Sequence, residues 1–350
     1  MSLPECDASP LVIAYHLPQF HEIEENNHWW GDGYTEWVAL EKWKSLYEGH
    51  EIINPHPDIG YYNLKDHGTF EAQHKVAKSY HISTFAVWYY YFGIKDRLME
   101  KALDAALANE EDFKFCLAWA NHSWFNKKEN ILLKRQTYDF TAQDFYQESR
   151  KYFIHKNYRI VNNRPVLIIY KPLDIPDLQK FCLQLNECAC QDGFDGMYLI
   201  FEQTKPNENH AVLAEKVVNS VNFLGKLSIF QKLIYHLIQK YQIKVLRKYD
   251  YKVVIKNFTS CGPIDKKAAR VIFTGWDTTP RHGIRGVVVT GLNNNTFKEH
   301  CLSSMRQLKT DDVILVKSWN EWAEGNALEP STTHGYDLLQ IFRDCLNEYN

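Results

Sequence analysis

Eight short apolar runs recur along the chain: LVIAYH (11–16), ISTFAVWYY (82–90), FKFCLAWA (113–120), PVLIIY (165–170), GMYLIF (196–201), VVNSVNF (217–223), RVIFTGW (270–276) and DVILVKSW (312–319). Most are continuous rather than alternating, the pattern of parallel strands buried on both faces. Stretches of helical length separate most of them: 68–81, 98–110, 141–156, 175–192 and 296–308. Strands alternating with helices predict an α/β chain, a single (β/α)8 TIM barrel over residues 1–350 with a long first βα loop from Leu17 to Asp66. The sixth run is the weakest of the set. A doubly wound sheet is the alternative, but YHLPQFHEIEEN stands after the first strand where a glycine-rich phosphate loop would be needed. No repeat or low-complexity linker divides the chain.

In a barrel, the residues at the C-terminal ends of the strands converge on one mouth. The first end delivers His16, Gln19 and His21, the second Trp88, Tyr89 and Tyr90, the third Trp119, Asn121, His122 and Trp124. Tyr170, Glu202 and Asn222 follow from the next three, Trp276 and Asp277 from the seventh, and Trp319, Asn320, Glu321 and Glu324 from the eighth. Aromatic platforms, amides and a few carboxylates therefore come from independent strands. Aromatic residues make up 14% of the chain, with 10 Trp and 21 Tyr, which suits a site that stacks the flat faces of sugars and hydrogen-bonds their rims.

Two of those carboxylates carry the chemistry. Breaking a glycosidic bond needs a proton for the leaving oxygen, and a base or negative charge opposite the developing oxocarbenium ion. Two acids whose surroundings push their pKa values apart supply both. Glu321 and Glu324 are three residues apart at the end of a buried strand, between Trp319 and Trp322. A lone pair at this spacing is more often an exposed helix feature; its place at a strand end, among tryptophans, favours the catalytic reading. Glu202 is a third acid that could equally open a solvated loop.

Other chemistries find less support. His16, His21, His28 and His122 form no metal-ligand pattern, and His16 and His21 read as polar residues lining a pocket. Neither a metal nor a cofactor is implied. There is no G-x-S-x-G elbow for an acyl hydrolase. A net charge of −3 excludes a globally basic nucleic-acid binder. The sequence shows no signal-peptide pattern at its start and no run of membrane-spanning length, and its 8 cysteines lack a repeating frame. Unpaired thiols in a cytoplasmic protein are the expectation. Residues 226–256 form one basic stretch with apolar residues at helical spacing; a helix packed on the barrel is favoured there over peripheral membrane contact. Asn121, Asn257 and Asn294 stand in glycosylation-type triplets, which a cytoplasmic chain would not use.

Four segments carry a family resemblance: 15–37, 115–124, GWDTTPR (275–281) and WNEWAEGNALEPSTTHGYDLL (319–339). In order and over most of the chain, they resemble the WbsX-type proteins, a group related to glycoside hydrolase family 99. That resemblance implies a (β/α)8 barrel and an endo-acting, retaining enzyme on an α-mannose-type glycan. WbsX-type proteins also occur with polysaccharide and O-antigen biosynthesis and are often labelled glycosyltransferases. By the N-E-W-x-E pattern, Glu321 would take the proton of the substrate 2-hydroxyl, and Glu324 would act as general acid and then base. Tyr15, His16, Gln19, Trp30, Glu36, Trp88, Tyr90, Trp119, Asn121, His122, Trp276, Asp277 and Asn320 become candidates for holding the glycan. His122 stands where the group commonly has a glutamate, and Thr278 where it has an asparagine; both bear on which sugar is bound. Glycan hydrolysis leads, glycosyl transfer is the alternative, and a non-catalytic carbohydrate-binding protein is a third reading that the intact acids oppose.

Overall fold

The computed structural model describes residues 10–126, 129, 131–218, 233, 234, 236, 237, 241, 243, 245–256, 258 and 265–349. Eight strands form one parallel sheet: β1 Leu11–His16, β2 Thr84–Gly93, β3 Phe115–Trp119, β4 Arg164–Ile169, β5 Tyr198–Phe201, β6 Lys216–Val217, β7 Arg270–Phe273 and β8 Val313–Lys317. Their spatial order is β6-β5-β4-β3-β2-β1-β8-β7. The sheet curls until β6 meets the residues before β7 at a single parallel bridge, Val217 to Ala268, with Val217 N donating to Lys267 O at 2.7 Å and Ala269 N to Val217 O at 2.9 Å. The expected barrel is thus observed as a curled eight-stranded parallel sheet whose ends touch at one point. Of the sixth predicted strand, 217–223, only its first residue, Val217, is in β6; Asn222 lies outside the described residues.

Period-two alternation sorts the side chains into two layers. On β1, Tyr15 faces the inside of the curl, whereas His16 faces outward and stacks on Phe70 of the helix Thr69–Ser79, with ring centroids 4.9 Å apart. On β2, Trp88 and Tyr90 face inward or toward the mouth, while Tyr89 and Tyr91 pack outward against Phe145 of the helix Ala142–Phe153. That outer layer is fully buried, and each large apolar side chain in it contributes roughly 1.5–3 kcal/mol. The helix Ala142–Phe153 starts on a capping box, in which Thr141 and Asp144 satisfy each other's backbone N–H groups.

β2 is the longest strand at 10 residues. Its pairing with β1 ends at Val87 and with β3 at Tyr89, so Tyr90 and its successors run past the sheet into a turn-back with Asp96–Leu98. Three short pairs lie outside the main sheet: Trp124–Asn126 with Ile131–Lys134, Arg247–Asp250 with Val287–Thr290, and Asn320–Glu321 with Asn326–Ala327. The run at Val287–Thr290 is a strand that the eight-run count leaves out.

In the basic stretch 226–256, residues 226–232, 235, 238–240, 242 and 244 lie outside the described residues; Leu233, Ile234, His236 and Leu237 are helical, and the stretch ends in the strand Arg247–Asp250 and the short helix Tyr251–Ile255. Asn257 also lies outside the described residues. Cys116, Cys182, Cys188, Cys190, Cys301 and Cys345 are free thiols. No helix among the described residues is long and apolar enough to cross a membrane.

Candidate active site

Beyond Lys317 the chain folds back on itself within ten residues. Asn320–Glu321 pairs antiparallel with Asn326–Ala327, and a single 3-10 turn, Trp322–Glu324, joins them. Gly325 closes the turn at φ +55°, and a Cβ there would stand 2.7 Å from Asp277 Cβ. The tight fit lets Asp277 N donate to Glu324 O at 2.6 Å.

The turn is braced from behind. Asn320 accepts from Leu17 N at 2.7 Å and donates to Leu17 O at 3.2 Å. Trp322 Nε1 donates to Glu329 at 3.0 Å, and Tyr62 OH and Gln73 Nε2 donate to the same carboxylate at 2.9 Å each. Burial pushes Glu329 up to about 7 despite these donors. It is therefore a buried bracing acid that sequence reading missed.

Glu321 and Glu324 are held differently. Trp88 Nε1 donates to Glu321 Oε1 at 3.0 Å, and the Trp88 ring stacks on Tyr15 at 4.8 Å and meets Tyr170 edge-on at 5.6 Å. Burial, followed by the nearby Glu324, pushes Glu321 from the ordinary 4.5 up to about 7, against the pull of Arg281 and Trp88. Glu324 accepts from Arg281 Nη1 at 2.7 Å, and Arg281 Nη2 donates to Glu36 at 2.8 Å. Burial raises the Tyr90 hydroxyl well above its usual range, with Glu321 the next cause. Beneath them, Lys317 Nζ donates to the fully buried Glu202 at 2.7 Å, and Tyr15 OH donates to the same carboxylate.

Of the predicted residues, Tyr15, Glu36, Trp88, Tyr90, Glu321 and Glu324 come together here. His122 stands at the edge, its ring 5.4 Å from Tyr170. His16 does not line the mouth: it faces outward, Nε2 is 2.9 Å from Gln73, and burial lowers it to about 4, so it packs as a neutral ring. His21 is likewise buried and lowered to about 4. Trp119 also points outward, onto Phe145 at 4.6 Å, with Nε1 donating to Tyr91 O. Asn121 spends its amide on Lys171 N and O, at 2.8 and 2.7 Å, and Asn320 on Leu17. Gln19 acts through its carbonyl, which accepts from Glu36 N at 3.1 Å. Trp30 lies 39% exposed beside Tyr34.

Trp276 and Asp277 lie on the other side of the Glu324 turn, lining a cleft of about 260 Å³ with Tyr47, His50, Thr290 and His334. Asp277 is held there by His50 Nε2 at 2.8 Å and Thr279 N at 2.8 Å. Arg281 and Lys317 were not singled out from sequence, although Arg281 stands within the quoted GWDTTPR segment. Among the described residues no group of three or more His, Cys, Asp or Glu is placed to hold a metal ion.

Solved structures of similar shape share little sequence. A glycoside hydrolase-like protein superposes with a TM-score of 0.60 at 14% identity, covering 99% of this chain and 96% of the other. The GH99 endo-alpha-mannosidase from Bacteroides thetaiotaomicron, in complex with bis-tris propane, gives 0.57 at 13% identity, covering 97% of each chain. An uncharacterized protein, WxcX, from two strains of Xanthomonas campestris pv. campestris is 24% identical over 99% of this chain, which spans about half the relatives' length, 51% and 50%. A family model described as "Glycosyltransferase WbsX" matches residues 12–342, and the chain belongs to that WbsX family.

Proposed function

We propose that this chain is a carbohydrate-active enzyme, a (β/α)8-type retaining and endo-acting glycoside hydrolase on an α-linked, mannose-type glycan or surface polysaccharide. The observation that carries this reading is the pair of unlike carboxyls in one aromatic-lined mouth: Glu321 desolvated under Trp88, and Glu324 bound to a guanidinium. A carboxylate that titrates near 7 is basic enough to take a hydroxyl proton and is still substantially ionised at neutral pH.

The first half-reaction starts from the form in which Glu321 is ionised and Glu324 carries a proton on the oxygen that Arg281 does not engage. Glu321 takes the proton of the sugar 2-hydroxyl, and O2 attacks C1. The C1–O bond to the leaving group breaks as Glu324 gives that oxygen a proton, leaving a 1,2-anhydro sugar. Water then attacks C1 and passes its proton to Glu324, while O2 recovers a proton from Glu321 as the anhydro ring opens. Both acids return to their starting forms, and two displacements at C1 retain its configuration. Trp88, Tyr90 and Tyr170 offer the ring faces against which a pyranose packs.

Glycosyl transfer in polysaccharide assembly is the second reading, favoured by the family description. A sugar-nucleotide donor needs cations for its diphosphate. Within the described acid cluster, Arg281 is engaged by Glu36 and Glu324 and Lys317 by Glu202, which favours a glycan without phosphate. Incubation with α-linked mannan fragments and, separately, with sugar nucleotides, followed by mass spectrometry of the products, tests both. Hydrolysis products that Glu324→Gln abolishes while glycan binding survives would support the first reading; transfer products alone would replace it with the second.

A further inference from the structure

Glu36 is the first residue of the helix Glu36–Glu41 in the long first loop, yet its side chain is only 1% exposed. A carboxylate buried so deeply costs several kcal/mol unless it is paired. Its partner is Arg281 at 2.8 Å, which uses its other arm to hold Glu324 at 2.7 Å. Arg281 comes from the short helix Thr279–His282 after β7, so one guanidinium ties together the first loop, the seventh strand end and the acid turn.

We infer that Glu36 and Arg281 form a positioning pair: Glu36 locks Arg281, and Arg281 aims Glu324 and supplies the positive charge that lets Glu321 and Glu324 share one pocket. The bond geometry follows from the planar fork of the guanidinium, which reaches two carboxylates at once. Electrostatics follows from the count: three carboxylates surround one cation. Facing Glu321 are Trp88 and Tyr90 from β2, Tyr170 after β4, Glu324 on its own turn, Arg281, and Glu36 from the first loop, with Tyr34 near Glu36 and Arg281. In that setting, Arg281 pulls the titration of Glu321 down and Glu36 pushes it up. The two members of one ion pair therefore act on the same acid with opposite signs. Mere scaffolding would not do this, because loss of either member would admit water and let Glu321 fall toward the ordinary 4.5.

The test is carboxyl 13C NMR of the whole chain labelled at glutamate Cδ, titrated from about pH 4 to 9, with the Glu321 signal assigned by its loss in Glu321→Gln. Wild type is expected to show a midpoint near 7. Arg281→Gln should move it up by about one pH unit; Arg281→Lys, which keeps the charge, should leave it closer to wild type; and Glu36→Gln should move it down. Shifts of Arg281→Gln and Glu36→Gln in the same direction, or no shift in either, would overturn the pair. If Arg281→Gln does not fold, Arg281→Met, which fills the buried space without the charge, takes its place: a raised midpoint there with a lowered one in Glu36→Gln sustains the pair, and a lowered or unmoved midpoint there rejects it. The kinetic consequence rests on the hydrolase reading: Arg281→Gln should lower kcat more than it raises KM, with partial rescue in Arg281→Lys. Opposite NMR shifts in a chain that releases no product from any glycan would keep the pair and reject the hydrolase.

Discussion

Replacing Glu321 by Gln is expected to stabilise the protein at pH 8 and hardly at all at pH 5. In the folded chain this carboxyl titrates at about 7 instead of 4.5, because burial and Glu324 disfavour its charged form. A group raised in this way contributes stability that is full below 4.5 and is lost as pH rises through 7. At about 1.4 kcal/mol per pH unit, the full effect is about 3 kcal/mol, trimmed to about 2–3 because Glu321 keeps some contact with water. Glutamine has the same shape, still accepts from Trp88 Nε1 and cannot ionise. The gain at pH 8 should thus approach that figure, raising Tm by roughly 3–4 °C for a chain of this length, and fall below about 1 kcal/mol at pH 5. Thermal melts of both proteins at the two pH values measure it. Glu329, also held near 7, is present in both proteins and cancels. Equal changes in Tm at both pH values, or a lower Tm at pH 8, would refute the claim that Glu321 is held in a pocket hostile to its charge.

Trp88→Phe keeps the stack on Tyr15 but removes the N–H that Glu321 accepts, so the Glu321 midpoint should rise above 7 by about one pH unit in the same NMR titration; a fall would contradict the assigned bond. Gly325→Ala places a methyl 2.7 Å from Asp277 Cβ in a left-handed conformation, and should cost about 1–3 kcal/mol of stability and most glycan turnover, read by melting and product assay. Lys317→Met and Glu202→Gln should each destabilise by about 3 kcal/mol, because one leaves a buried carboxylate unpaired and the other strands an ammonium; the double variant should lose clearly less than their sum in chemical denaturation.

The strands were legible because a parallel sheet covered on both faces writes itself as continuous apolar runs, and the acids because their turn follows the last of these. What alternation decides residue by residue was harder to read. His16 and Trp119 stand at strand ends like Tyr15 and Trp88, but their side chains fall on the opposite face, and a strand end quoted without its inward register cannot separate them. Asn121 and Asn320 looked like sugar-binding amides and instead satisfy backbone groups of neighbouring loops, a demand visible only once the loops are placed. Arg281, Gln73 and Glu329 carry no periodic signal: they matter through partners 43 to 256 residues away. The strand Val287–Thr290 has a short apolar run of its own, but it pairs with the polar Arg247–Asp250 outside the main sheet, and so falls outside a count of eight sheet strands.

Glu36 gives the first loop an unusual standing. Loops that follow the strands of such a sheet are the parts a lineage can exchange while the residues at the strand ends stay in place. Here the exchange carries a condition, since one glutamate of that loop anchors the arginine that grips an acid on the eighth strand's turn. A loop graft that omits Glu36 would leave that arginine with one anchor fewer, and the acid it grips less firmly aimed.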